Sequence, residues 1–295
     1  MQVRFVTPSY RADLERAVWM RRSVRRFLHE PCGHVIAVPR ADLAAFRQAF
    51  AADPAVQIAC QEEVVDPIFY PDRLYRLVRA LAPSQAWRID LRGGLPGWMV
   101  QQIVKLQCTQ WVGDGAAVLV DSDLVFTRPF SLAELGLGAE ARTRTLVRIT
   151  PESESSRHRT HLERSRALLG LPAGPTEHHY MSSPSIWYAD WVAGLKARLE
   201  RVAGLRWQQA LFRAQEFSEY TLYGVFVEEA LKPDALSIRT QPFHQIVHDR
   251  DSFQQLQRAM LEPEGLRSGA LSLVVQSNIG MPVQDYQEIL EAIIQ

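Results

Sequence analysis

Residues 116–123 read Ala-Ala-Val-Leu-Val-Asp-Ser-Asp, five uninterrupted apolar residues that run straight into two carboxylates. A short apolar run with a glycine before it and acids after it reads as a central strand buried on both faces. Working back from it, apolar runs at 3–6, 34–38 and 56–59 alternate with helical spacing at Leu14, Ala17, Val18, Val24, Phe27 and Leu28 and again over 42–50. That alternation is the pattern of parallel strands joined by helices. A further amphipathic helix is expected over 73–81, then a Gly-Gly-Leu-Pro-Gly break at 93–97 and a helix from Trp98 to about Trp111. Beyond the central strand, 144–149, 185–188 and 271–276 read as strands, and 158–170, 189–203, 217–230 and 283–294 as helices. Segments 151–157 and 171–177 read as loops. With neither an internal repeat nor a long low-complexity linker, the expectation is a single α/β domain over 1–295. Its mostly parallel central sheet is flanked by helices.

Composition narrows the function. Hydrophobic residues are 47% and charged residues 22% of 295, which suits a packed core and excludes disorder as the main state. Lys+Arg and Asp+Glu both total 33, so no global positive charge draws in nucleic acid. Cys32, Cys60 and Cys108 form no C-x-x-C pair and no even framework, which fits a reducing cytoplasm. The N-terminus lacks a signal-peptide order, and no apolar stretch reaches membrane-spanning length; any membrane contact would be peripheral.

Asp121-Ser122-Asp123 is the strongest chemical candidate. On a strand, Asp121 and Asp123 would project to one side, and two adjacent carboxylates call for a hard divalent cation bridging to a diphosphate. With 14 Asp in the chain, chance alone gives roughly 0.7 Asp-x-Asp, so position must decide. Asp121 follows a strand, where open α/β sheets bind ligands; the second pair, Asp249 and Asp251, lies in a polar stretch with no strand expected before it. Gln101, Gln102 and Lys105 share one helix face, and Lys105 is the only lysine before Lys196. It is either solvated surface or a cation near a diphosphate. Thr7-Pro8-Ser9-Tyr10 closes strand one, as a plain turn or as a seat for a nucleotide. In Phe217-Ser-Glu-Tyr-Thr-Leu-Tyr-Gly224, Glu219 is a candidate base, or a first-turn acid behind a Ser218 cap. His244 and His248 stand at the i,i+4 spacing of a helical metal pair, or are two surface histidines. Absence of Gly-x-Ser-x-Gly, Walker lysine and Gly-x-Gly-x-x-Gly motifs removes support for serine hydrolases, P-loop NTPases and dinucleotide enzymes.

Several of these blocks together resemble a known family. Thr-Pro-Ser-Tyr at 7–10, Gly97-Trp98-x-x-Gln101-Gln102-x-x-Lys105, the strand into Asp121-Ser-Asp123, Trp207 and Ser218-Glu-Tyr-x-x-Tyr-Gly224 look like a bacterial family of glycosyltransferases. That family has the GT-A fold and was formerly filed as a domain of unknown function. The resemblance implies a GT-A-like, Rossmann-type domain whose residues 1–130 bind a nucleotide diphosphate sugar through Thr7, Pro8, Ser9, Tyr10, Gln101, Gln102, Lys105, Asp121, Ser122 and Asp123. Residues 131–295 would then face a glycan or other hydroxyl acceptor. It further implies Mn²⁺ or Mg²⁺ on Asp121 and Asp123 and work on surface polysaccharide or a related glycan; on the reading of the residues themselves, His244 or His248 would complete the metal's shell. Glu219 would be the base. The alternatives are a sugar nucleotidyltransferase, disfavoured by the lack of glycine in 7–13, and a catalytically silent glycan-binding or assembly protein.

Overall fold

The computed structural model describes residues 1–66, 97–138, 141–151, 155–214, 216–260 and 270–295. The helix expected over 73–81 and most of the glycine-rich break lie outside the described residues. Strand β1 (Val3–Pro8), helix α1 (Leu14–Phe27), β2 (Gly33–Val38), α2 (Leu43–Ala49) and β3 (Val56–Cys60) follow one another as the periodicity predicts. After α3 (Gly97–Leu106) and the single turn α4 (Thr109–Val112) comes β4 (Ala116–Leu119). The sheet runs β3-β2-β1-β4-β7, with β7 (Ser185–Tyr188) antiparallel to β4 and the other pairs parallel. The 3-2-1-4 order is that of a Rossmann-type half-sheet. Ala116, Ala117, Val118 and Leu119 are all fully buried, as a strand covered on both faces requires.

Three departures from the expected elements matter. First, β4 stops at Leu119, and Asp121–Leu124 is a turn closed by Leu124 N–H donating to Asp121 O at 3.2 Å. Strand alternation therefore does not set the directions of Asp121 and Asp123. Second, the chain re-enters a different sheet: β5 (Leu124–Phe126) pairs antiparallel with β10 (Ser272–Val275), which lies parallel to β9 (His244–Val247). Third, β6 (Arg144–Val147) joins β8 (Leu236–Arg239) in a two-stranded sheet apart from the central one. The helix expected from Trp98 to Trp111 breaks after Leu106, and the closing helix begins as a 3₁₀ turn (Val283–Asp285) before α10 (Gln287–Ile294).

The helices of the second half are α5 (Ser156–Leu168), α6 (Ala189–Ala203), α7 (Trp207–Ala214), α8 (Glu219–Val225) and α9 (Arg250–Met260). After Val225, α8 widens into a π-helical turn over Phe226–Leu231. Helix α3 packs against both β1 and α8, which brings the middle of the chain to the end of β4. Gly224 permits a tight contact within α8: a Cβ there would sit 2.1 Å from Tyr180 Cγ, so the tyrosine ring lies flat on the helix backbone. No helix among the described residues is long and apolar enough to cross a membrane.

Candidate functional site

Helix α3 shows how the sequence builds the site. Met99, Val100, Ile103, Val104 and Leu106 are buried, but so are Gln102 and Lys105, at 4% and 5% exposure. The polar stripe is a buried contact with α8, not a solvated face. An ammonium has three protons to donate. The Lys105 group lies 2.8 Å from Asp121 Oδ1, 2.8 Å from Glu219 Oε1 and 2.9 Å from Tyr220 OH. The Tyr220 hydroxyl in turn donates to Asp121 Oδ2 at 3.2 Å, and Glu219 N–H donates to Gln102 Oε1 at 2.9 Å. Ser218 caps α8, its hydroxyl accepting from Thr221 N–H. Burial alone would lower the Lys105 pKa, but the charges of Asp121 and Glu219 outweigh it and hold it well above the ordinary lysine value.

Asp123, half-buried, accepts a hydrogen bond from Ser277 N–H at 3.0 Å. Burial and then the charge of Asp121 push its carboxyl up to about 7. A third carboxylate stands near. Asp13 is 3% exposed and accepts from Arg16 Nη1 at 2.8 Å, with Ser122 Oγ donating to it at 3.5 Å. Arg16 also donates to Met281 O at 2.7 Å and to Tyr286 OH at 3.3 Å. Ionised, the four carboxylates of Asp13, Asp121, Asp123 and Glu219 face the two cations Lys105 and Arg16, which leaves two negative charges uncompensated. That donor set fits a hard divalent cation. Among the described residues no three His, Cys, Asp or Glu side chains converge on a metal position. The protein would therefore supply two carboxylates at most, and the other positions would fall to substrate oxygens or water.

The remaining candidates separate. Thr7 and Ser9 are wholly buried; Thr7 Oγ1 lies 2.9 Å from His34 Nε2, and Ser9 Oγ has no hydrogen-bond partner. Pro8 is buried as well, so within that block Tyr10, at 42% exposure, is the residue that offers a surface. Ser122 is buried against Asp13, and Gln101 is half-buried. His244 and His248 are not on a helix. His244 opens strand β9 and His248 directly follows it, on the order of 13 Å apart along an extended backbone. His244 lies near the site, its Nδ1 accepting from Ser183 N–H at 3.4 Å while Ser183 Oγ accepts from Asp121 N–H at 3.3 Å. The second Asp-x-Asp does follow a strand, contrary to expectation, because the four residues of β9 are too few and too polar to stand out. Asp249 is the cap of α9, its Oδ1 accepting from Ser252 N–H at 2.8 Å. Glu219 is 5% exposed and holds Lys105, so the lysine stands between its carboxylate and Asp121. Sequence reasoning missed Asp13, Arg16 and Tyr286, and gave Ser277, part of the Gln276-Ser277-Asn278 block that fits the resemblance, no role in the site. The i,i+3 spacing of Asp13 and Arg16 is the one local signal, and nothing local ties either to residues 277–286.

A family model described as a family of unknown function, DUF6492, matches residues 3–295. The chain belongs to this family. Membership of DUF6492 carries no activity with it. No curated protein matches the chain. Mouse xyloside xylosyltransferase 1 in its apo form is similar over 96% of this chain and 100% of its own, at 10% identity and a TM-score of 0.45.

Proposed function

We propose that the chain is a metal-dependent glycosyltransferase that moves a sugar from a nucleotide diphosphate sugar to a hydroxyl acceptor, in surface polysaccharide or related glycan synthesis. The observation that carries this reading is the charge imbalance at the carboxyl end of β4, where Asp13, Asp121, Asp123 and Glu219 outnumber Lys105 and Arg16 by two. Asp123 and Asp121 would hold Mn²⁺ or Mg²⁺, which when bound supplies Lewis-acid stabilisation to the departing diphosphate. Lys105 holds Asp121 through its ion pair and would add a positive charge to offset that of the diphosphate. Glu219 acts as a positioning residue through Lys105, because it reaches the site only by way of that ammonium, and Tyr220 positions both Lys105 and Asp121 directly. Tyr10, exposed just past the end of β1, would lie against the nucleotide. The hydroxyl proton of the acceptor needs a base other than Glu219 in this arrangement.

The test is calorimetric titration of uridine, guanosine and thymidine diphosphates with Mn²⁺ against the native chain and Asp123→Asn. Binding that needs both Mn²⁺ and Asp123 is expected. Equal affinity in the variant overturns the assignment.

A further inference from the structure

A cavity of about 630 Å³ lies at the far end of α8 from Lys105. The π-helical turn forms one wall and places two consecutive acids, Glu228 and Glu229, on it; in a regular helix adjacent side chains point about 100° apart. Lys232 ends the turn at φ 50°, its N–H donating to Val227 O at 2.9 Å across the five-residue span of a π turn. Arg148 and Thr150 supply a second wall and the loop from Leu171 to Pro175 a third, apolar one. Charge is balanced from within. Arg148 pairs with Glu228, and the buried Arg166 binds Glu229 through Nε and Nη2. Tyr180 OH donates to Glu228 Oε2 at 3.0 Å and lies 3.0 Å from His178 Nε2.

With Arg166 counted, the three carboxylates of Glu177, Glu228 and Glu229 meet three cations, Arg148, Arg166 and Lys232. Neither an anion nor a cation gains net attraction. What the cavity offers is fixed carboxylate lone pairs, a threonine hydroxyl and an imidazole facing an apolar wall of Leu171, Pro172 and Ala173. Ring hydroxyls would meet the polar side and the C–H face of a pyranose the apolar one. The cavity volume falls in the range of ordinary ligand sites. Its distance from the first site is short: the segment from His178 to Ser183 leaves the cavity and ends on Asp121 N–H, a span of at most about 17 Å for five residues.

We propose that this cavity binds neutral sugar units of the acceptor chain, on the acceptor side of the site at Asp121. The acceptor part of this rests on the glycosyl-transfer reading above. The experiment uses the full chain with maltose, cellobiose, lactose and chitobiose as probes, read by saturation-transfer NMR, with inorganic phosphate and glucuronate as charged probes. At least one neutral disaccharide is expected to bind. Ala173→Trp, which fills the cavity from an exposed loop position without touching an ion pair, abolishes that binding. Thr150→Val weakens it by about tenfold, the worth of one hydrogen bond. Binding of nucleoside diphosphate with Mn²⁺ stays unchanged in both variants. Failure of all four sugars, sugar binding that survives Ala173→Trp, or binding of the charged probes alone overturns the proposal. Sugar bound here with no nucleotide bound at Asp121 keeps the cavity and removes the transferase reading; nucleotide bound with no sugar removes the cavity alone.

Discussion

Lys105→Met tests the centre of the site by removing a charge while keeping the volume. The lysine side chain is 6% exposed and Glu219 7%, so the variant strands a buried carboxylate, whereas Asp121, at 33%, regains water. Removing one partner of a buried pair costs about 3–5 kcal/mol, and the Asp121 share is discounted for solvent screening. Nearly all of the loss should therefore come from Glu219. It follows that Glu219→Gln, added to Lys105→Met, recovers more than half of it, because an amide needs no counter-charge. Urea unfolding followed by tryptophan fluorescence reads both variants. The pH dependence gives a second check. The native pKa of Lys105 is raised, so its stabilisation is complete below the unfolded value of about 10.4 and fades as pH climbs through the native one. Native protein should lose stability more steeply above pH 10.4 than Lys105→Met does. A destabilisation under about 1 kcal/mol, or no recovery in the double variant, would refute a buried charge network and return α3 to a solvated polar face.

Three further outcomes follow from single residues. Burial, and then the charge of Arg21, lower the His34 pKa to about 3. Its contribution is therefore full above pH 6.5 and lost as pH falls towards 3, up to about 5 kcal/mol, so His34→Leu should flatten the acid limb of a stability-versus-pH curve. Gly224→Ala drives a methyl into the Tyr180 ring and should cost about 1–3 kcal/mol by thermal unfolding. An unchanged melting temperature would mean that the ring moves freely. Asp249→Ala removes the cap of the exposed end of α9 and should lower stability slightly while leaving nucleotide affinity untouched; loss of affinity would point to the second Asp-x-Asp.

The parts of the fold that the sequence made legible are those whose burial is periodic. The runs around Phe5, Val35 and Val118 announce β1, β2 and β4 because covering both faces forces every position to be apolar. Strands β8 and β9 stayed hidden: Leu236–Arg239 and His244–Val247 are half-exposed and mix polar with apolar residues, which a loop does too. The carboxylate pair could be placed at a strand end from its order in the chain alone. Its neighbours could not, because Lys105 meets Glu219 across 114 residues and no local spacing encodes that distance. Polar residues on an α3 face read as solvent-facing until a second polar helix is known to lie on top of them.

Asp123 takes its side-chain hydrogen bond from Ser277, and its carbonyl takes one from Val275 N–H, 154 and 152 residues downstream. Arg16 reaches further forward still, 265 and 270 residues, to Met281 and Tyr286. During synthesis the half-sheet of β1 to β4 can therefore form while the acidic pocket is still open, since loop closure over such separations comes late. A nascent chain would carry the Rossmann-type half for most of its elongation time with Asp123 unpartnered, and the acidic cluster would be completed only as the last strand docks beside β5. Two separately produced pieces, cut between α9 and β10, should then regain the nucleotide binding proposed above only on mixing, in step with the arrival of the smaller piece.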